Sequence, residues 1–300
     1  MSHARNGGAT GPAGVIRKRG ARPATVTQVS LILSQNPGAI NQARDGVSCA
    51  PVDPAGTGIN RDHGGRDSAL PGRRHFVKLA IFDLDNTLLA GDSDHAWGAF
   101  MTERGIVDAE DYARHNDEFL RHYEQGTLDI DAYLRFALAP LAEHPAKELE
   151  AWREEFIEER IRPMIGEAAR ELVETHRQRG HTLMLITATN AFVTGPIAKL
   201  FDIPHLLATE PERRNGRYTG RYTGTPTFQH GKILALEEWL ETQQVRPEET
   251  WFYSDSRNDL PLLEQVDHPV AVDPDPVLRR EAEARGWDVL MLNAVAETAE

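Results

Sequence analysis

The chain has 300 residues, 40% of them hydrophobic, which is enough for a sizeable core built as one α/β domain with an insertion or as two small domains. Its formal net charge of −13 is unevenly spread: residues 1–75 hold ten Lys/Arg against four Asp/Glu, leaving 23 against 42 and a net of −19 for the remainder, which excludes a general nucleic-acid surface. One cysteine, Cys49, excludes an intrachain disulfide and makes a reducing, cytoplasmic setting the default, and no apolar run approaches the roughly 18 residues of a membrane span.

Residues 1–75 contain half of the 24 glycines and little periodic hydrophobicity beyond Val26 to Leu33, the composition of a disordered extension. They bear arginines and no acid before Asp45, a feature shared with organellar transit peptides. Lacking a clear amphipathic helix, they read more plainly as a flexible tail or as the product of a start codon placed too far upstream.

The first structured element is the apolar run from Val77 to Phe82, which has no solvated face and therefore suits a central parallel strand covered on both sides. It delivers Asp83-Leu84-Asp85-Asn86-Thr87-Leu88 to the strand's carboxyl end, where open α/β sheets bind ligands. Asn86-Thr87 favours a turn there. Two carboxylates so close together are costly to bury unless a cation or proton offsets them, which argues against a purely structural role.

Residues 94–160 then change to helical periodicity with no strand signal. Trp97, Phe100 and Met101 fall at i, i+3, i+4; a second helix is expected over about 109–125, closing at Gly126; a third over about 129–139, stopping at Pro140; and a fourth over about 146–160, ending before Pro163. A helical insert between two strands of an α/β sheet is the signature of a lid or cap. The α/β pattern resumes with a helix to Gln178, a stop at Gly180 and a buried strand over 182–186, which ends in Thr187-Ala188-Thr189-Asn190 before another helix. Asn215-Gly216 marks a hairpin, with Arg-Tyr-Thr-Gly repeated at 217–220 and 221–224. A helix from about Lys232 to Thr242 leads to the strand 250–253, which delivers Ser254-Asp255-Ser256-Arg257-Asn258-Asp259. A strand at 269–272 and a helix over 276–285 complete the expected sheet.

Three strand ends thus present Asp83 with Asp85, Thr187 with Asn190, and Asp255 with Asp259, with Lys232 beside them. Asp-x-Asp alone is a weak signal, and a lysine at a helix start is ordinarily solvated. Their consistent placement at strand ends makes the combination strong.

With these residues in hand, the chain resembles a haloacid-dehalogenase superfamily phosphatase, of the branch that includes phosphoserine and histidinol-phosphate phosphatases. The resemblance covers residues 76–290: Asp83 to Leu88 match the first motif, Thr187 the second, Lys232 the third and Asp255 to Asp259 the fourth, with Ser254 standing where many members have glycine. It implies a Rossmann-like, doubly wound parallel sheet, with a catalytic core of residues 76–91 and 164–300 and a helical cap of the first type at residues 92–163. It also implies Mg²⁺ held by the side chains of Asp83 and Asp255 and the backbone carbonyl of Asp85, since a hard cation takes oxygen ligands and keeps waters. By the same resemblance Asp83 is the nucleophile and Asp85 the acid and then the base. Thr187 and Lys232 hold phosphoryl oxygens. Asp259 supports Lys232 or a water on the metal, and Asn190 and Asn258 are polar supports or ordinary capping and turn residues.

The implied substrate is a small phosphorylated metabolite, L-histidinol phosphate slightly ahead of O-phospho-L-serine, with no nucleic-acid or membrane partner and no oligomeric state specified. Specificity falls to the cap, where Asp92, Asp94, His95, Trp97, Asn116, Tyr123, Tyr133 and Arg135 are candidates: Asp92 or Asp94 for an amine, Trp97 for a flat imidazole. Each is equally accounted for as cap core or helix cap. Dehalogenation needs no acid at Asp85, whose presence argues against it. A phosphotransferase would keep every motif residue, and a module that only binds phosphorylated ligands could lose Asp83 or Asp85, both of which are intact.

Overall fold

The structure, a computed structural model, describes residues 75–293. Apart from His75, the expected N-terminal extension lies outside the described residues, as does Cys49. In chain order the elements are β1 (His75–Phe82); an insert of α1 (Ser93–Glu103), α2 (Ala109–Gln125), α3 (Ile130–Glu143) and α4 (Ala146–Phe156), continued by the helical segments Ile157–Ile161 and Arg162–Met164; α5 (Glu167–Gln178), β2 (Thr182–Ile186), α6 (Ala191–Leu200) and β3 (His205–Leu207); the hairpin β4 (Glu210–Arg214) and β5 (Arg217–Thr223); and α7 (His230–Thr242), β6 (Val245–Ser254), α8 (Leu260–Leu263), β7 (His268–Val272), α9 (Pro276–Arg285) and β8 (Asp288–Leu290).

Six strands form one parallel sheet in the order β3-β2-β1-β6-β7-β8. The period of two sends alternate side chains into two separate cores. Leu79, Ile81, Met184, Ile186, Phe252 and Ala271 join a core closed by α7, α8 and α9. Ala80, Phe82, Leu183, Leu185, Tyr253 and Val270 join the other, closed by α5, α6 and the insert. The doubly wound sheet is thereby the consequence of strands that are apolar on both faces. Strand order reverses between β1 and β6, so the carboxyl ends of these neighbours flank a crevice. Asp83 N–H closes that junction by donating to the Tyr253 carbonyl at 2.9 Å.

The insert packs around its own aromatic cluster. Trp97 stacks on Phe100 at 5.6 Å and meets Phe156 edge-on at 5.2 Å. The second helix begins where Asp108 accepts from Asp111 N–H and ends at Gly126, whose φ of 70° is left-handed and whose missing side chain leaves room for Arg257. Two expectations need correction. The third helix does not stop at Pro140 but runs through it to Glu143, because Leu138 and Leu141 on either side are buried. Burying two leucines contributes about 3–6 kcal/mol, which meets or exceeds the roughly 3 kcal/mol cost of an internal proline. The sheet is also wider than the sequence suggests, since β3 and β8 add three-residue edges too short to show a period.

Phe156 is fully buried at the junction of Trp97 and Phe100. Phe156→Ala is expected to lower stability by about 3–5 kcal/mol, read as a shifted urea midpoint with an unchanged slope.

Candidate active site

Asp83 leaves the end of β1 in an extended conformation, and the chain then folds into a tight turn over residues 84–88 in which Asn86 is left-handed, at φ 55°. The turn carries Asp85 away from the strand axis, so the two acids do not continue the pleat. Ser93 N–H donates to Asp85 Oδ1 at 2.6 Å and Thr189 Oγ1 to Asp85 Oδ2 at 2.7 Å, which fixes both carboxylate oxygens. Thr87 Oγ1 accepts from Asp255 N–H at 3.0 Å and lies 3.2 Å from Asp255 Oδ1, tying the first motif to the fourth.

Lys232 is the centre of the charged cluster. Its Nζ donates to Asp83 Oδ1 at 2.9 Å and to Asp259 Oδ2 at 2.7 Å, and all three residues are only 2% exposed. Ser254 Oγ donates to the same Asp259 oxygen at 2.7 Å and accepts from Ser256 N–H, so the serine found in place of glycine has a specific function here. The helix bearing Lys232 approaches through a constrained loop. A side chain at Gly231 would meet the Pro226 carbonyl oxygen at 1.9 Å, and Gln229 adopts φ 49°. Thr187 directly follows β2; its hydroxyl accepts from Thr189 N–H, which leaves its own proton to donate elsewhere.

The electrostatics follow from burial. Burial drives the Lys232 pKa down, but Asp259 and Asp83 more than offset it, so the ammonium is held charged. Burial raises Asp83 to about 7 against the opposing pull of Lys232, with Asp259 and Asp85 adding to the rise. Asp255 rises well above its ordinary range through burial and then through Asp83 and Asp259. Two carboxylates therefore share one ammonium, and a third, Asp255, lies within their field. Asp85 rises to about 6, through burial and the nearby Asp92, despite the bonds from Ser93 and Thr189.

A narrow chamber of about 50 Å³, partly open to solvent, lies between these residues and the insert. Asp92, Asp94, His95 and Asn116 supply polar groups to its wall, and Phe119, Leu120, Tyr123, Leu128, Ile130 and Tyr133 supply its apolar surface. No lysine or arginine is among its lining residues. Asp92 also caps α1, accepting from Asp94 and His95 N–H at 2.9 Å each. Asp94 is pushed well up by burial and by Asp92 and Asp85. Burial and the surrounding carboxylates keep the Tyr123 phenol protonated.

Two of the candidates from the sequence are elsewhere. Trp97 is buried in the aromatic cluster of the insert and cannot stack on a ligand, and Arg135 is exposed and outside the chamber. Asn190 caps α6 by accepting from Val193 N–H. Asn258 donates to the Tyr123 carbonyl at 2.9 Å and accepts from Gln229, so it joins the end of α2 to the fourth motif. Thr189, which orients Asp85, and Ser93, whose backbone does the same, were not singled out by sequence. Thr189 lies two residues after Thr187 on a strand-end segment, a spacing that would have signalled it; Phe119, Leu120 and Tyr123 share one face of an otherwise charged helix and form the chamber wall.

Convergence of these side chains at the switch point of a parallel sheet defines a class. The chain belongs to the haloacid dehalogenase-like hydrolase family, whose model matches residues 80–264, and within it the chain is a phosphatase. It is 48% identical to the histidinol-phosphatase of Neisseria meningitidis over 71% of this chain and 97% of that protein. It is 30% identical to phosphoserine phosphatase SerB1 of Mycobacterium tuberculosis over 86% of this chain and 88% of that one. A solved structure from Bordetella pertussis, of unknown function, is 45% identical, with a TM-score of 0.69 over 73% of this chain and all of that one. A phospho-aspartyl intermediate analogue of phosphoserine phosphatase, 18% identical with a TM-score of 0.54 over 73% of this chain and 94% of that one, shares the fold.

The raised Asp85 pKa has a consequence for stability in EDTA. The folded group holds its proton up to about pH 6, whereas the unfolded one releases it near 3.8, so the native state binds more protons in that window and loses stability as pH rises through it. The gap corresponds to roughly 3 kcal/mol. Relative to wild type, Asp85→Asn is therefore expected to gain stability by up to about that amount between pH 4 and pH 7 in urea titrations. A difference that stays constant with pH would contradict the assignment.

Proposed function

We propose that the chain is a Mg²⁺-dependent phosphomonoesterase that hydrolyses L-histidinol phosphate in the cytoplasm through an aspartyl-phosphate on Asp83. Support for the cation comes from the surplus of negative charge: one ammonium, Lys232, bonds Asp83 and Asp259, while Asp255 lies close enough to both acids for them to raise its pKa. Among the described residues no three His, Cys, Asp or Glu side chains converge as a metal cluster. The donor set is instead two carboxylates, Asp83 and Asp255, with the Asp85 carbonyl, a set that fits a hard cation completing its sphere with solvent and phosphate. A bound Mg²⁺ supplies charge neutralisation that lets a phosphate dianion approach a carboxylate.

Lys232 engages one oxygen of Asp83, and the other attacks phosphorus. As the Asp83–phosphorus bond forms, the bond to the ester oxygen breaks and Asp85 gives its proton to the leaving alkoxide. Asp85, now ionised, takes a proton from the water that attacks the aspartyl-phosphate; the bond between phosphorus and the Asp83 oxygen breaks, and inorganic phosphate leaves with Asp83 restored as a carboxylate. A carboxyl with a pKa of about 6 suits both duties near neutrality. Thr187 and Lys232 hold the equatorial oxygens while charge develops on them. Residues 92–163 act as the cap that excludes bulk water from this chemistry.

Chamber charge supports the choice of substrate. Histidinol phosphate offers an ammonium and a flat imidazole and has no carboxylate, which suits Asp92, Asp94 and the aromatic wall. The carboxylate of phosphoserine would face those acids with no lysine or arginine lining the chamber to pair it. The 48% identity to a histidinol-phosphatase points the same way.

Phosphate release from a panel of phosphorylated metabolites, with Mg²⁺ and with EDTA, tests this. L-Histidinol phosphate is expected to exceed O-phospho-L-serine in kcat/KM by at least about tenfold, and Asp83→Asn to lose at least about a thousandfold. A preference for phosphoserine overturns the substrate. Activity that survives EDTA or the loss of Asp83 overturns the mechanism.

A further inference from the structure

The turn that carries Asp85 has no regular ladder to hold it. Asp85 is extended at φ −71° and ψ 132°, and Asn86 is left-handed at φ 55° and ψ 0°. Its position depends on individual bonds: Leu89 N–H to the Leu84 carbonyl at 3.0 Å, Asn86 N–H to the Gly91 carbonyl at 2.9 Å, Thr87 to Asp255, and Ser93 and Thr189 to the Asp85 carboxylate. A further support comes from more than 200 residues away. Asn293 Nδ2 donates to the carbonyls of Asn86, Thr87 and Leu89 at 3.3, 3.1 and 3.4 Å. Its Oδ1 is buried with no partner, and the same side chain also meets the Asp273 carboxylate, so the amide links the turn to its anchor.

Asn293 is itself held. Asp273 Oδ2 accepts from Asn293 N–H at 2.8 Å and from Leu292 N–H at 3.0 Å, and Asp273 N–H donates to the Leu290 carbonyl. Two residues further on, Asp275 N–H donates to the Asp255 carbonyl at 2.8 Å and Asp275 Oδ2 accepts from Arg257 N–H at 2.6 Å. A single loop after β7 thus grips both the C-terminal segment and the fourth motif.

We propose that Asn293 is a positioning residue for phosphoryl transfer: its amide, anchored by Asp273, fixes the turn that presents the Asp85 carboxyl and the Asp85 carbonyl. The assignment rests on the roles given to Asp85 above. An amide N–H₂ facing three carbonyls has no substitute in a carboxylate of the same shape, which would repel them. Displacement of a reacting group by about 1 Å costs up to about a hundredfold in rate.

The test uses the full chain with Asn293→Ala and the isosteric Asn293→Asp. Both are expected to lose at least about fivefold in kcat, Asn293→Asp more, with KM within about twofold of wild type. Calorimetric titration with Mg²⁺ in the absence of substrate is expected to show binding weakened by at least about threefold. A residue that only secures the C-terminal segment would lower the melting temperature and leave these quantities unmoved. If the Asn293 variants do not fold, Asp273→Asn loosens the same clamp and is read in the same way. Either kcat or Mg²⁺ affinity remaining within twofold of wild type, or a loss confined to KM, overturns the proposal. Wild type decides separately on the roles of Asp85: a wild-type enzyme that ignores Mg²⁺ removes that foundation, whereas a Mg²⁺-dependent wild type with unaffected variants removes Asn293 alone.

Discussion

Negative charge held out of water at the carboxyl ends of β1 and β6 is the constraint around which the molecule is arranged. A lone buried carboxylate is prohibitively costly, and a buried ion pair stabilises only when its geometry and remaining bonds are satisfied. Lys232 meets that condition by touching Asp83 and Asp259 together, while Ser254 takes a further bond to Asp259. The backbone gives way to permit it: α7 reaches the cluster only because residue 231 is glycine and residue 229 accepts a positive φ. Strain located beside a reactive group is sustained by the surrounding core rather than by local preference.

That single cation is not enough, and the shortfall is what gives the cluster its chemistry. Burial leaves Asp83, Asp85 and Asp255 with raised pKa values, poised to take up protons or a cation. Thr87, Thr189 and Ser93 then fix where those carboxylates point. A rigid sheet supplies the positions and hydroxyl or backbone donors supply the orientation, a division of labour that keeps the reacting atoms preorganised.

The insert contributes in a different way. Its aromatic cluster of Trp97, Phe100 and Phe156 continues through Trp97 onto Phe192 of α6, and the helix that faces the chamber shows it apolar and aromatic side chains beside Asn116. Asn258 and Arg257 of the fourth motif meet the last turn of that helix, through the Tyr123 carbonyl and the space at Gly126. The insert and the acidic cluster at the strand ends are therefore joined by direct bonds.

The sequence by itself determined the parallel, doubly covered sheet, because strands such as Leu79 to Phe82 and Leu183 to Ile186 are apolar on both faces and admit no solvated side. It also determined the chemistry at the strand ends, because Asp83, Asp85, Asp255 and Lys232 are residue types that burial makes expensive and that only a compensated site can tolerate. Tertiary structure alone decided the rest. Pro140 lies within a helix because burial of Leu138 and Leu141 outweighs a local preference, and Trp97 is core rather than binding surface because packing, not residue type, sets which face is covered. Thr189 and Asn293 act on a turn 104 and more than 200 residues away. No periodicity or spacing within a segment encodes such contacts, since they exist only once the sheet has brought distant strand ends together.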